Sequence, residues 1–141
     1  MDANIIGIAE TSSRIGYLSQ NMDTVLTLGL TILAEWLAFF IFIKKNVPQR
    51  HVLGWILFIV GINCLTNPLA QMIYSSLKTL NFRPLDWLLT EILVILGEAF
   101  LIYEIMAQTF RRGLFYSMLL NITSILVGAI LCWLNLLPWC Y

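Results

Sequence analysis

The sequence predicts an all-α protein, a polytopic transmembrane bundle of four helices in up-down-up-down order. Three observations predict it. Of the 141 residues, 60% are hydrophobic and 11% are charged, whereas soluble domains carry about 25% charged residues. The apolar residues form four continuous runs of about 20 residues, enough helix to cross ~30 Å of hydrocarbon. The connections between the runs are short, which places consecutive helices side by side and antiparallel. Residues 1–141 are therefore expected to form a single transmembrane domain.

The four predicted spans cover about residues 24–43, 52–74, 85–107 and 114–137. Residues 1–23 are too polar to cross a bilayer, and we expect them to form a short interfacial segment. Five Lys and Arg residues lie in the connections after the first and third spans, and three lie on the opposite side. The positive-inside rule therefore predicts that both termini lie outside. We find no internal repeat strong enough to assign.

Aromatic residues near the ends of the spans predict two interfacial belts. The outer belt would hold Trp87, Trp133, Trp139 and Tyr141, and the inner belt Trp55 and Tyr116. Cys64 and Cys132 lie in apolar spans and are expected to behave as small hydrophobic residues, without a disulfide framework.

Three carboxylates lie well inside spans that contain no lysine or arginine: Glu35, Glu91 and Glu98. A carboxylate near the middle of a bilayer costs about 2.5–3.5 kcal/mol on insertion scales. A proton, a bound cation or several hydrogen-bond donors must offset that cost. Each of these solutions indicates a binding site rather than simple packing.

The polar residues of each span share one helix face. The faces hold Thr24, Thr27, Thr31 and Glu35 in the first span, Asn63, Asn67 and Gln71 in the second, Glu91 and Glu98 in the third, and Ser117, Asn121, Ser124 and Gly128 in the fourth. Spacings of three, four and seven residues bring such side chains to one side of a helix. The last set, from Ser117 to Gly128, is also typical of close helix packing through small residues.

At ~1.5 Å per residue, Glu35, Asn63 and Glu98 lie near the middle of the membrane. The sequence therefore predicts a polar vestibule with an acidic floor that opens only to the outside. Four phenylalanines would close the cytoplasmic half: Phe39, Phe40, Phe42 and Phe58. Pro68 predicts a kink beside the amides, because proline removes one helical hydrogen bond.

The predicted ligand- or ion-binding residues are Glu35, Asn63, Asn67, Glu91, Glu98 and Asn121. A metal ion, if one binds, would be held by Glu35, Glu98 and Asn63, since carboxylate and amide oxygens suit hard cations. The single histidine, His51, lies in a connection, so histidine ligation of haem within the bundle is excluded, and no cofactor is identified. No catalytic residue is assigned, because no nucleophile or metal-protease arrangement is present.

Two short stretches resemble known families. Thr31-Ile32-Leu33-Ala34-Glu35 resembles the first helix of small multidrug-resistance exporters, in which a membrane glutamate binds protons and cationic drugs; the later helices depart from that pattern, and we do not adopt it. Leu65-Thr66-Asn67-Pro68-Leu69 followed by the helix from Glu91 to Ala99 is similar to small uncharacterised prokaryotic membrane proteins that pair a Thr-Asn-Pro-Leu helix with a Glu-x6-Glu helix. This second resemblance implies a link between Asn67 and the two glutamates, and the cytoplasmic membrane of a prokaryote as the location.

The sequence leaves two functional classes open. The favoured one is a membrane protein that handles a proton or cation at Glu35 and Glu98, in a homo-oligomer because four helices enclose little volume. The alternative is a non-catalytic accessory or assembly subunit whose polar faces bind partner helices in a larger membrane complex. An intramembrane enzyme is the least favoured class. Lipid is an expected partner and nucleic acid is not, since the net charge is zero.

Overall fold

A computed structural model of the protein describes residues 24–80 and 85–137, and the predicted interfacial segment lies outside them. The described residues form an up-down-up-down bundle of four helices with no strand, which confirms the predicted fold class. The helices are α1 (Thr24–Asn46), α2 (Val52–Thr79), α3 (Leu85–Ile105) and α4 (Phe110–Trp133). The last part of α1 is a π-helical turn, Phe39–Ile43, followed by a 3-10 turn, Lys44–Asn46.

Three of these helices are long and apolar enough to cross a membrane: α1, α2 with the turn before it, and α4. Their outer faces carry exposed leucines such as Leu33, Leu57 and Leu126, which suits contact with lipid. At 21 residues α3 is also long enough, but it carries four carboxylates. The membrane crossing of α3 and the outside position of the termini stay predictions.

The connection between α3 and α4 is shorter than predicted. Helix α4 begins at Phe110, four residues before the predicted span, because the side chain of Thr109 accepts a hydrogen bond from the backbone nitrogen of Arg112 (3.4 Å) and caps the helix. Gly113 therefore lies inside α4 rather than in a loop. Helix α2 continues through Pro68 to Thr79 without a break, and the kink at Pro68 stays a prediction.

The half of the bundle near the α1–α2 and α3–α4 connections is closed by an apolar core. Its centre is an aromatic plug formed by Phe39, Trp55 and Tyr116. The rings of Phe39 and Trp55 stack with centroids 5.7 Å apart, and Tyr116 meets Trp55 edge-on at the same distance. The predicted inner belt is therefore wrong, since Trp55 and Tyr116 are 2% and 6% exposed. Trp55 lies eight residues before Asn63, so it shares the inward face of α2.

Two of the four phenylalanines predicted to close this half point outward. Phe40 and Phe42 are 44% and 47% exposed, because Phe39 and Ile43 occupy the inward positions of the same turn. Phe58 is partly buried against the core, as predicted. Closure therefore depends on Phe39 together with residues of the other three helices.

Helices α3 and α4 approach most closely at Gly113. A Cβ atom added there would lie 2.6 Å from the carbonyl oxygen of Ala99, whereas one added at Gly128 would meet nothing within 4 Å. The close-packing face of α4 was therefore predicted too far along the helix. It includes Gly113 and the fully buried Ser117 but not Gly128.

The cysteines also differ from expectation. Cys132, near the end of α4, is disulfide-bonded, and Cys64 is an exposed free thiol. Cys132 is therefore not simply a small hydrophobic residue of the fourth span.

The bundle divides into two helical hairpins with matching positions. The first hairpin is α1 with α2, and the second is α3 with α4. Asn63 lies eleven residues after the start of α2, and Asn121 lies eleven residues after the start of α4. Each asparagine is buried and bonds a glutamate of the preceding helix, Glu35 or Glu98.

Candidate functional site

Glu98 is a buried carboxyl group with hydrogen bonds to both of its oxygens. It is 2% exposed, and each of its oxygens accepts hydrogen bonds. Oε1 accepts from the hydroxyl of Thr66 on α2 (3.0 Å). Oε2 accepts from the hydroxyl of Ser117 (3.2 Å) and from the amide nitrogen of Asn121, both on α4. Donors from two neighbouring helices thus fix this carboxyl group between them.

Glu35 is equally buried, at 1% exposure, but has far fewer partners. Its Oε2 accepts a hydrogen bond of 2.6 Å from the amide nitrogen of Asn63. Its Oε1 is buried and has no hydrogen-bond partner. A buried polar atom without a partner costs free energy, so this oxygen is an unusual feature in an otherwise apolar environment.

Helix α2 links the two carboxyl groups. Asn63 is hydrogen-bonded to Glu35. Thr66, one turn further along α2, is hydrogen-bonded to Glu98. Glu35 and Glu98 are close enough to interact electrostatically, and Glu91 acts on Glu98 in the same way. Glu35 and Glu98 are therefore linked through successive turns of α2. No lysine, arginine or histidine among the described residues is hydrogen-bonded to Glu35 or Glu98.

A cavity of about 290 Å³, lined by both polar and apolar side chains, lies between the helices on the side opposite the plug. It extends from Glu98 and Asn63 toward Cys132 and Leu137, at the far end of α4. Its wall includes the polar side chains of Thr27, Thr31, Asn63, Thr66, Asn67, Glu91, Glu98, Asn121 and Ser124. Its lining includes most of the polar residues predicted for the vestibule, and the opening to the outside stays a prediction.

The predicted site residues take different places in this arrangement. Asn63, Glu98 and Asn121 meet at the deep end of the cavity, while Glu91 is half-buried and lines its wall. Asn67 also lines the cavity, but its side-chain oxygen accepts from Gln71 (3.3 Å) rather than contacting a glutamate. Glu35 lies outside the cavity lining, behind Asn63.

Sequence reasoning missed Thr66 as a donor and treated Ser117 only as a packing residue. Helical spacing offers a signal for both. Thr66 lies three residues after Asn63 and Ser117 lies four residues before Asn121, so each shares a face with an amide already assigned to the site. Their hydroxyl groups complete the shell of donors around Glu98.

Of the predicted metal ligands, Glu35 and Asn63 are hydrogen-bonded to each other, and Asn63 presents its nitrogen rather than its oxygen. In this arrangement the site offers hydrogen-bond donors to its carboxyl groups. It can therefore hold a carboxylate in place and supply a proton-binding oxygen at one end of the cavity. No family model, curated protein or solved structure matches this chain.

Proposed function

We propose that this protein handles a proton or a cation at an intramembrane pocket of carboxyl and amide groups, by transport or in a channel-like manner. The observation that carries the proposal is Glu98, a buried carboxyl group bonded from two other helices at the end of a cavity with several polar lining residues. Ionisable residues inside membrane helices are generally functional sites, because their insertion is costly.

The energies support a site over a purely structural role. Interhelical hydrogen bonds in membranes contribute ~0.6 kcal/mol each on average. The three side-chain bonds to Glu98 would then contribute about 2 kcal/mol, less than the ~2.5–3.5 kcal/mol cost of inserting the carboxylate. Glu35 accepts one hydrogen bond and has one oxygen without a partner, so its hydrogen bonding offsets even less of the insertion cost. Serine or threonine would join the helices at a smaller cost.

The cavity and the plug define two sides of the pocket. A proton or cation can approach Glu98 along the cavity, whereas Phe39, Trp55 and Tyr116 close the other side. Passage across the protein therefore requires movement of the plug. The cavity side is the outside predicted by the positive-inside rule.

Reconstitution of the purified protein in liposomes tests the proposal. We expect wild-type protein to move protons or cations down an imposed gradient, and Glu98→Gln to abolish that movement. Glutamine keeps the size and one acceptor oxygen of glutamate, so the variant should fold. Glu104→Gln is the matched control, because Glu104 lies on the same helix but is exposed. No flux from folded wild-type protein, or unchanged flux in Glu98→Gln, would contradict the proposal.

An accessory subunit remains the alternative. The residues assigned to partner docking, among them Glu35, Asn63, Glu98 and Asn121, are buried against one another in the single chain. A docking role would therefore need other surfaces. Co-purification with one defined membrane partner would favour this alternative, whereas an active homo-oligomer without a partner would favour transport.

A further inference from the structure

The amide groups of the site are oriented by backbone carbonyls. The side-chain nitrogen of Asn121 lies 3.0 Å from the carbonyl oxygen of Ser117, and that of Asn63 lies 2.9 Å from the carbonyl oxygen of Ile59. A carbonyl oxygen only accepts, so the amide atom beside it must be nitrogen. The same nitrogen atoms face Glu98 and Glu35. The amides therefore offer hydrogen atoms to the carboxyl groups and turn their oxygens away from them.

The two hydroxyl groups at Glu98 each have a second acceptor. The Thr66 hydroxyl lies 2.9 Å from the carbonyl oxygen of Ile62 and 3.0 Å from Glu98 Oε1. The Ser117 hydroxyl lies 3.0 Å from the carbonyl oxygen of Ile95 and 3.2 Å from Glu98 Oε2. A hydroxyl group has one hydrogen and two lone pairs, so it donates to one of these acceptors at a time and can accept as well.

This geometry satisfies both protonation states of Glu98. When Glu98 is ionised, the two hydroxyls donate to its oxygens. When Glu98 is protonated on Oε1, its O–H group donates to the Thr66 oxygen, and the Thr66 hydrogen turns to the carbonyl of Ile62. No buried group loses its bond in either state, and only hydrogen atoms move. Ser117 can make the same change with the carbonyl of Ile95.

We propose that the species bound at Glu98 is a proton rather than a metal cation, and that Thr66 and Ser117 are positioning residues that exchange hydrogen bonds as the proton arrives and leaves. This inference rests on the proposed function. Hard cations require several oxygen ligands, whereas the atoms nearest Glu98 include an amide nitrogen held in place by the Ser117 carbonyl. In the loading step, an O–H bond of a hydronium ion in the cavity breaks and an O–H bond forms on Glu98, leaving one water molecule.

Other acids surround Glu98 and must be separated from it in a titration. Glu35 faces it from α1 and Glu91 lies on its own helix. The contacts from α2 and α4 are hydroxyl and amide groups, and the nearby phenol of α4, Tyr116, belongs to the plug. A background with Glu35→Gln and Glu91→Gln therefore isolates Glu98.

Infrared difference spectroscopy of the full chain in lipid nanodiscs tests the protonation directly. In that background we expect a carboxylic acid C=O band that disappears as the pH is raised and is absent after Glu98→Gln. Thr66→Val should change the frequency of this band, because it removes a hydrogen-bond partner, and Thr66→Ser should restore it. A Glu98 band whose intensity does not change with pH, or whose frequency is the same in Thr66→Val, would overturn the inference.

Flux measurements with single cations distinguish the inference from the proposed function. We expect wild-type liposomes to acidify under a proton gradient with no movement of Na⁺, and the Thr66→Val, Ser117→Ala double variant to slow acidification roughly tenfold. Thr123→Val is the matched control, since Thr123 bonds only the carbonyl of Leu119 (2.8 Å). Movement of Na⁺ without protons would refute the inference and keep the proposed function, whereas movement of neither would refute both.

Discussion

In the first hairpin Glu35 receives one hydrogen bond, from Asn63, and its other oxygen has no partner, whereas in the second hairpin Glu98 receives three. Both glutamates are buried to the same degree, and both asparagines lie eleven residues into their helices. The sequence pattern is therefore shared, but the number of donors that reach each carboxyl group is not.

Helix spacing explains part of this difference. Eight residues before Asn121 the second hairpin has Gly113, which brings the backbones of α3 and α4 into near contact at Ala99. Eight residues before Asn63 the first hairpin has Trp55, whose ring stacks on Phe39 between the helices. Ser117, one turn beyond Gly113, can thus reach Glu98, whereas the matching position in the first hairpin holds an apolar residue, Ile59. The difference suits a carboxyl group that exchanges a proton in the second hairpin and a more static one in the first.

The largest effect should follow removal of the aromatic ring that separates α1 and α2. We expect Trp55→Ala to lower the free energy of unfolding by roughly 3 kcal/mol, the low end for a buried Trp→Ala change, because lipid reduces the hydrophobic driving force. Denaturation by SDS in mixed micelles measures it. Trp133→Ala is the control, since Trp133 is 81% exposed. Equal losses in the two variants would show that the plug does not stabilise the first hairpin.

A smaller effect should follow an added methyl group in the second hairpin. Gly113→Ala places a Cβ atom 2.6 Å from the Ala99 carbonyl oxygen, so α3 and α4 must separate. We expect a loss of about 1–3 kcal/mol by the same denaturation assay, the usual range for overpacking. The separation should also lengthen the bond from Ser117 to Glu98 and slow proton movement.

Gly128→Ala provides the matched control for that experiment. It adds the same methyl group to the same helix, where no atom lies within 4 Å. Its stability should equal or slightly exceed that of the wild type, because alanine favours helix more than glycine. If the two variants were equally stable, close approach at Gly113 could not explain the extra donors around Glu98.

Periodicity was sufficient to predict the fold and the inward direction of the acids. Four apolar runs predicted four helices, and the three- and four-residue spacings predicted that Asn63, Glu98 and Asn121 meet. Periodicity gives the face of a helix but not its distance from a neighbour. It therefore placed Glu35 and Glu98 in one cavity, although Glu35 lies behind Asn63, outside the lining.

The errors concern single residues at helix ends. Trp55 and Tyr116 were assigned to an interface by depth alone, but they share inward faces with Asn63 and Leu120 and pack in the core. Gly113 was left in the connection before the fourth span, although Thr109 already caps α4. The apolar run indicates where the membrane span begins, whereas a capping residue indicates where the helix begins. Here the predicted span begins at residue 114 and the helix begins four residues earlier, at Phe110.

The smallest effect concerns the single donor of Glu35. Asn63→Leu leaves both oxygens of a buried carboxyl group without a partner, so we expect a loss of about 1 kcal/mol, above the ~0.6 kcal/mol average for one interhelical bond. Asn121→Leu should cost less, because Thr66 and Ser117 still donate to Glu98. The denaturation assay in micelles compares the two variants.

A double-mutant cycle shows whether the loss belongs to the pair. Glu35→Leu in the Asn63→Leu background should recover most of the lost stability, because it removes the stranded carboxyl group, including the oxygen that already lacks a partner. Additive losses would mean that Asn63 acts through its bond to the Ile59 carbonyl instead. Recovery combined with unchanged proton movement would assign Glu35 to structure and leave Glu98 as the proton-binding residue, since only Glu98 accepts hydrogen bonds from hydroxyl groups that suit both protonation states.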